Sequence, residues 1–340
     1  MNRRHILAAS LAVPLATALA SPFIRPAGAQ TLVRASLRLK WLTQAQFAGF
    51  YVALQKGYYR EAGIDLTINP GGPNLLTENL VASGADTFGL SGGTDSVFAA
   101  RERGLPIVCA GVMHQQTPFV FVARADGPIR TLADFRGKTI TTWFTGANFV
   151  LLGMLAQAGL NRGDFTMQPQ QVSVQPFVDR QVDVVTATRY NEFFTLMSRV
   201  GRENLRSFVP DEHGITFPRD TVIVSEQTAR DRPQLVSGFL RATIRGWRDA
   251  LADNKLGVDS VMSVAPTLNR PHQEFMLVEA GKLMVAGGAA QNGLFWIDHP
   301  VIQAAHDFFL RNEVIKAPLD LAAAYNSSFL EALPVADRMA

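Results

Sequence analysis

Leu37-Arg38-Leu39-Lys40-Trp41 alternates apolar and basic side chains as a half-buried strand does, and Phe47, Phe50, Tyr51, Leu54 and Tyr58 follow at helical spacing. Gly63 stands where a helix C-cap glycine would, and residues 66–69 read as a second strand. This β-α-β unit decides the fold. Parallel strands need a crossover, and the crossover lays a helix on the face of the sheet.

The same alternation continues outward. After the turn Pro70-Gly71-Gly72-Pro73, the pattern predicts a helix over 75–82, a strand over 87–90, a helix over 94–103 and a strand over 107–113. A second set opens with a strand at 119–123, then runs through 132–135, a strand over 139–142, a helix over 148–157, a strand over 182–187 and a helix over 191–200. Residues 221–225 read as one more strand, expected beside 119–123, so that the chain enters and leaves a second lobe through two adjacent hinge crossings. From Gln234 onward the chain reads as mainly helical, with Trp247, Leu251, Leu256, Phe275, Phe308 and Phe309 as packing residues of the first lobe. The expected division is 1–29 as a leader, 30–118 with 226–340 as lobe one, and 119–225 as lobe two including the hinge strands.

The leader rests on Arg3-Arg4, the 15-residue run 6–20 that contains Pro14, and Ala27-Gly28-Ala29 as a cleavage site before Gln30. The run is too short for a membrane anchor, and the paired arginines leave both twin-arginine and general secretory export open. The full chain has 32 basic and 29 acidic residues in 340. Arg3, Arg4 and Arg25 fall in the leader, so the mature chain is formally neutral and carries no basic excess for nucleic acid or an anionic membrane. Cys109 is the single cysteine, so no intramolecular disulfide can form, and its apolar surroundings read as core. About 310 mature residues exceed what one hydrophobic core usually serves, hence two lobes.

Ligands in open α/β sheets bind beyond the carboxyl ends of the strands. Four loops fit that position: 41–47 with Trp41, Gln44 and Gln46; 91–95 with Ser91 and Asp95; 143–148 with Trp143 and Asn148; and 188–192 with Tyr190 and Glu192. Gln116, just before the hinge strand, is a further candidate. These groups supply aromatic faces, amides and two carboxylates, which suit a flat polar heterocycle better than a simple anion. Each also has a plain structural reading: the aromatics as core, Asp95 as a helix cap, Glu192 as a carboxylate on a helix dipole, Gln116 in a solvated turn.

Gly89-Leu90-Ser91-Gly92-Gly93 matches the G-x-S-x-G elbow of serine hydrolases, with Asp298 and His299 as the triad partners on offer; adjacent residues rarely serve one triad. The six histidines form no metal-binding spacing, Cys109 stands alone, and no phosphate-binding glycine loop occurs, so neither metal nor cofactor is expected.

The stretches 39–41 and 46–53, then Lys56-Gly57-Tyr58-Tyr59 and 61–66, resemble the opening of bacterial binding proteins for thiamine pyrimidine precursors and of their riboflavin-binding and alkanesulfonate-binding cousins. Arg103-Gly104-Leu105-Pro106 and Asp134-Phe135-Arg136-Gly137-Lys138 continue the likeness, which covers about 30 to 230. It implies a two-lobed periplasmic binding protein of type II, an α/β fold with two hinge crossings. It also implies a role as the periplasmic solute-binding component of an ABC importer, with the permease and ATPase subunits as partners. In such proteins aromatic rings sandwich the heterocycle, and a carboxylate like that of Glu192 accepts from an exocyclic amine. The related thiamine pyrimidine synthase uses its own histidine and a lysine-borne pyridoxal phosphate. The corresponding loop here, Ser91 to Asp95, has neither residue, so no enzyme is expected.

Overall fold

The computed structural model describes residues 31–72, 75–144 and 146–340; the expected leader lies outside them. Two five-stranded sheets carry the chain. The first contains β1 (Val33–Arg38), β2 (Ile64–Asn69), β3 (Phe88–Gly93) and β4 (Ile107–His114). The second is built from β5 (Phe119–Arg124), β6 (Thr139–Thr142), β7 (Thr166–Pro169), β8 (Val184–Thr188) and β9 (Leu205–Phe208). The chain then returns as β10 (Arg219–Ser225) to complete the first sheet. The strand orders are β2-β1-β3-β10-β4 and β7-β6-β8-β5-β9.

The two orders share one topology. In each sheet four strands run parallel, and one antiparallel strand is inserted in the fourth place. That strand is always the one that has just arrived from the other sheet: β5 after segment 115–118, β10 after segment 209–218. The expectation that 221–225 runs beside 119–123 is therefore corrected. β10 pairs with β3 and β4, whereas β5 pairs with β8 and β9. β10 is hydrogen-bonded along both edges, to β3 and to β4, so its backbone groups are satisfied within the first sheet. The α/β, two-lobed arrangement with two crossings is otherwise as expected.

Local sequence explains the elements. Helix Pro233–Ala252 begins with proline at its first turn and buries Leu235, Val236, Phe239, Leu240, Ile244 and Trp247 at helical spacing. Phe239 stacks on Phe88 at 3.9 Å between centroids, and Trp247 meets Phe50 edge-on at 6.0 Å. Gly49 is what lets helix Ala48–Gln55 approach so closely, since a Cβ there would overlap the Trp247 indole. Cys109 is buried, as expected of a core thiol. β1 begins at Val33 rather than Leu37, leaving Lys40 and Trp41 in the loop beyond its carboxyl end. The short strands β7 and β9 have four residues each, two of them polar, too few to show an apolar period.

Aromatic contacts also join the lobes. Phe149 of helix Ala147–Gln157 meets Phe309 of helix His299–Arg311 at 5.6 Å, and Phe217 of the second crossing packs on Phe308 and Phe309. Among the described residues, no helix is long and apolar enough to cross a membrane.

Candidate functional site

A cleft of about 450 Å³ opens where the parallel strands of both sheets end. Trp41 follows β1, Gly72 follows β2, and Gly92 and Ser96 come from the end of β3 and the helix after it. From the other lobe, Trp143 follows β6, Gln170 follows β7, and Tyr190, Asn191 and Glu192 follow β8. The antiparallel strands bring their amino ends to the same place, with Arg219 opening β10 and Phe119 opening β5. One topological rule thus gathers residues scattered from 40 to 219.

Glu192 is 7% exposed and begins helix Glu192–Val200. Its Oε2 accepts from the Thr188 backbone N–H at 2.9 Å and from the Thr188 hydroxyl at 2.6 Å, and Oε1 accepts from Asn191 Nδ2 at 2.8 Å. Burial outweighs these donors and raises its pKa above the ordinary carboxylate value. The buried Tyr190 ring lies 5.5 Å from that of His114, and burial lifts the phenol well above its usual pKa. Phe119 and Trp143 sit 6.1 Å apart at 39°, forming an aromatic wall.

Two cations reach the cleft, and each is backed by a carboxylate. Arg219 is paired with Asp95, and its guanidinium lies 4.8 Å above the Phe119 ring. Lys40 is paired with the fully buried Asp220, and burial lowers the lysine pKa despite that partner. Asp220 adopts a left-handed φ of 56°, a conformation uncommon outside glycine in which aspartate is enriched. His114 Nδ1 lies 3.6 Å from Asp220, and burial pushes the imidazole down to about 4. Gly146 makes room for this cluster, because a Cβ there would overlap both Asp95 and Arg219.

Of the residues singled out in the sequence, Trp41, Gln46, Trp143, Tyr190 and Glu192 line the cleft. Five do not. Gln44 accepts from Gln46 Nε2 at 3.1 Å. Ser91 is fully buried and donates to Glu78 Oε1 at 2.5 Å. Asp95 neither caps its helix nor faces the cleft, because its carboxylate is turned to Arg219. Gln116 sits half-buried in the first crossing, and Asn148 is buried with its Oδ1 held by the Gly146 N–H at 3.3 Å. The hydrolase triad is not assembled: Ser91 is bonded to Glu78, while Asp298 caps the helix His299–Arg311 by accepting from the Val301 N–H. Among the described residues, no cluster of three or more His, Cys, Asp and Glu side chains could hold a metal ion.

Lys40, Glu78, Phe119 and Arg219 also line the cleft and were missed in the sequence. Lys40 could have been found, since it adjoins Trp41 at the carboxyl end of the first strand. Arg219 had no local signal, because its partner Asp95 is 124 residues away.

A family model described as NMT1/THI5 like matches residues 44–255. The riboflavin-binding protein RibY of Chloroflexus aurantiacus is 28% identical over 325 residues, 93% of this chain and 91% of that protein. The formylaminopyrimidine-binding protein of Halalkalibacterium halodurans is 26% identical, covering 74% of each. A 4-amino-5-hydroxymethyl-2-methylpyrimidine phosphate synthase of Legionella pneumophila is 27% identical over 63% of this chain and 68% of its own. Among solved structures, the alkanesulfonate-binding protein SsuA from Xanthomonas axonopodis pv. citri superposes with a TM-score of 0.66 at 16% identity, over 87% of this chain and 98% of that one.

Proposed function

Since the chain belongs to the NMT1/THI5-like family, we propose that it is the extracytoplasmic solute-binding component of an ABC importer, taking a small, flat, neutral nitrogen heterocycle into the cleft between its lobes. Export by the leader at 1–29, with a mature amino terminus at Gln30, is part of this proposal. The binding proteins RibY and the formylaminopyrimidine binder support the transport role, since both names describe capture of a heterocycle.

The observation that carries the reading is the charge balance of the cleft. Arg219 and Lys40 are each already neutralised by Asp95 and Asp220, so the floor offers donors without net positive charge. A sulfonate would enter such a site against Glu192 with no surplus cation to receive it. A neutral heterocycle stacked by Trp41 and Trp143 meets both a donor side at Arg219 and an acceptor side at Glu192. Hinge closure at 115–118 and 209–218 completes these contacts, and the closed form is the one an importer reads.

Thermal-shift titration with aminopyrimidines, thiamine and flavins tests the ligand class. A ligand at 100 times its Kd adds about 2.7 kcal/mol of stability. Trp41→Ala or Glu192→Ala should remove most of the shift, and scattering should record compaction of the wild type. No shift with any of these compounds, or unchanged shifts in both variants, would remove this reading. Recovery of the ligand chemically unchanged after prolonged incubation separates transport from a synthase-like activity.

A further inference from the structure

Arg189 is the one residue of 188–192 that does not line the cleft. Its neighbours Tyr190 and Glu192 do, and Glu192 is held to Thr188 through both the backbone N–H and the hydroxyl. Arg189 serves the hinge instead. Its backbone N–H donates to the Pro118 carbonyl at 2.8 Å, in the first crossing, and its guanidinium Nη2 donates to Asp211 Oδ2, in the second. One residue of the ligand loop thus grips both crossings.

The crossings are also tied to each other. The Thr216 hydroxyl donates to Asp211 Oδ1 and accepts from the Thr117 N–H at 3.3 Å. Asp211 is shared between Arg189 and Thr216, and Thr117 adjoins Pro118, so the hydrogen bonds close a ring through both crossings and the loop. Gln157 of helix Ala147–Gln157 holds the His213 carbonyl at 3.0 Å, which fixes the ring to lobe two. Lobe one has its own anchors directly beside it. Gln115 donates its backbone N–H to Leu283 and its side-chain amide to Val112 and Trp296, and the Pro218 carbonyl accepts from the Thr94 N–H at 3.1 Å. A hinge absorbs its dihedral changes in a few residues, and here Gln116 and Phe217 alone stand between the anchors of one lobe and the ring of the other.

We propose that Arg189 is the positioning residue that couples the ligand to the hinge: it locks loop 188–192 and both crossings into one body, which turns against lobe one at Gln116 and Phe217. A ligand that draws on Tyr190 or Glu192 then moves both crossings together, because the hydrogen-bonded ring leaves neither free to twist by itself. This role rests on the heterocycle-binding reading above and adds the residues that convert occupancy into closure.

Nitroxides introduced by Ala156→Cys on lobe two and Arg241→Cys on lobe one, both exposed helix positions, read the distance between lobes by pulsed electron resonance, and Cys109 is buried away from the label. The probes are riboflavin, thiamine and 4-amino-2-methylpyrimidine, with affinities from calorimetry. Wild type should give a narrow distribution that shortens with a bound probe. Arg189→Met should broaden the ligand-free distribution, suppress the shortening and weaken affinity about fivefold or more, the lower range of coupling between sites. Arg189→Lys should restore all three, since an ammonium can take the place of Nη2 opposite Asp211. Thr216→Val keeps the side-chain shape, cuts the ring away from the charge pair and should broaden the distribution likewise, with little added in the double variant. It also decides the matter if Arg189→Met fails to fold. Unchanged distributions in both variants overturn the proposal. Lost affinity with normal shortening overturns it too, as does a broadened distribution with full affinity and shortening. If wild type binds no probe, the heterocycle reading falls and the ligand-free distributions decide the ring: broadened, it stands; unchanged, it is overturned.

Discussion

The imidazole of His272 lies flat on the ring of Phe194, with centroids 4.6 Å apart and planes inclined by 8°. Phe194 belongs to helix Glu192–Val200, which follows β8 of the second sheet. His272 belongs to helix Arg270–Met284, which packs with the first. Its Nε2 is also 3.2 Å from the carbonyl of Asn191, a residue of the cleft wall, and Phe275 meets Phe194 at 5.1 Å. The pair therefore bridges the lobes beside the residues proposed to hold the ligand.

This bridge should stabilise the closed form. An aromatic pair contributes about 0.5–1.5 kcal/mol beyond its burial, so Phe194→Ala should weaken ligand affinity by roughly three- to tenfold. Small-angle scattering of the ligand-free variant should show a larger radius of gyration than wild type. An unchanged radius together with unchanged affinity would show that the contact does not govern closure.

Glu192 makes binding pH-dependent. Burial raises its pKa above 4.5 in the free protein, so the carboxylate begins to protonate at a higher pH than an exposed one. A ligand that donates to the carboxylate should lose affinity as pH falls through that raised value. A hydrogen bond to a charged group is worth about 1.5–3 kcal/mol, so Glu192→Gln should bind about 10- to 150-fold more weakly and with a flat profile. Calorimetry from pH 7.5 down to 5 reads both.

His114 governs acid stability. It is fully buried, neither ring nitrogen has a hydrogen-bond partner among the described residues, and its pKa falls from 6.5 to about 4. Between those values the unfolded chain binds the proton and the folded one does not, so stability is lost as pH drops from 6.5 toward 4. The total is about 3 kcal/mol at the acid end. Urea unfolding at pH 7 and pH 4.5 should show a smaller drop for His114→Gln than for wild type.

Asp95 holds Arg219 in place. Both side chains are 6% exposed, and removing one partner of such a buried pair costs roughly 3–5 kcal/mol. Asp95→Ala should therefore be strongly destabilised in chemical denaturation. Asp95→Leu combined with Arg219→Met should regain most of that stability yet bind no heterocycle, because the donor side of the cleft has gone.

The sequence by itself determined the alternation of strands and helices, since each period is a property of a few adjacent residues: β6 runs Thr139–Thr142 as read, Trp41, Trp143 and Tyr190 sit in strand-to-helix loops, and Glu192 opens the helix after one, positions set by local pattern. Only the tertiary structure decided that β5 and β10 enter opposite sheets, that Ser91 turns to Glu78, and that Asp95 serves Arg219 rather than its own helix. Those choices depend on partners up to 180 residues apart, as with Lys40 and Asp220, and burial makes each polar group pair with whichever partner packing brings within reach.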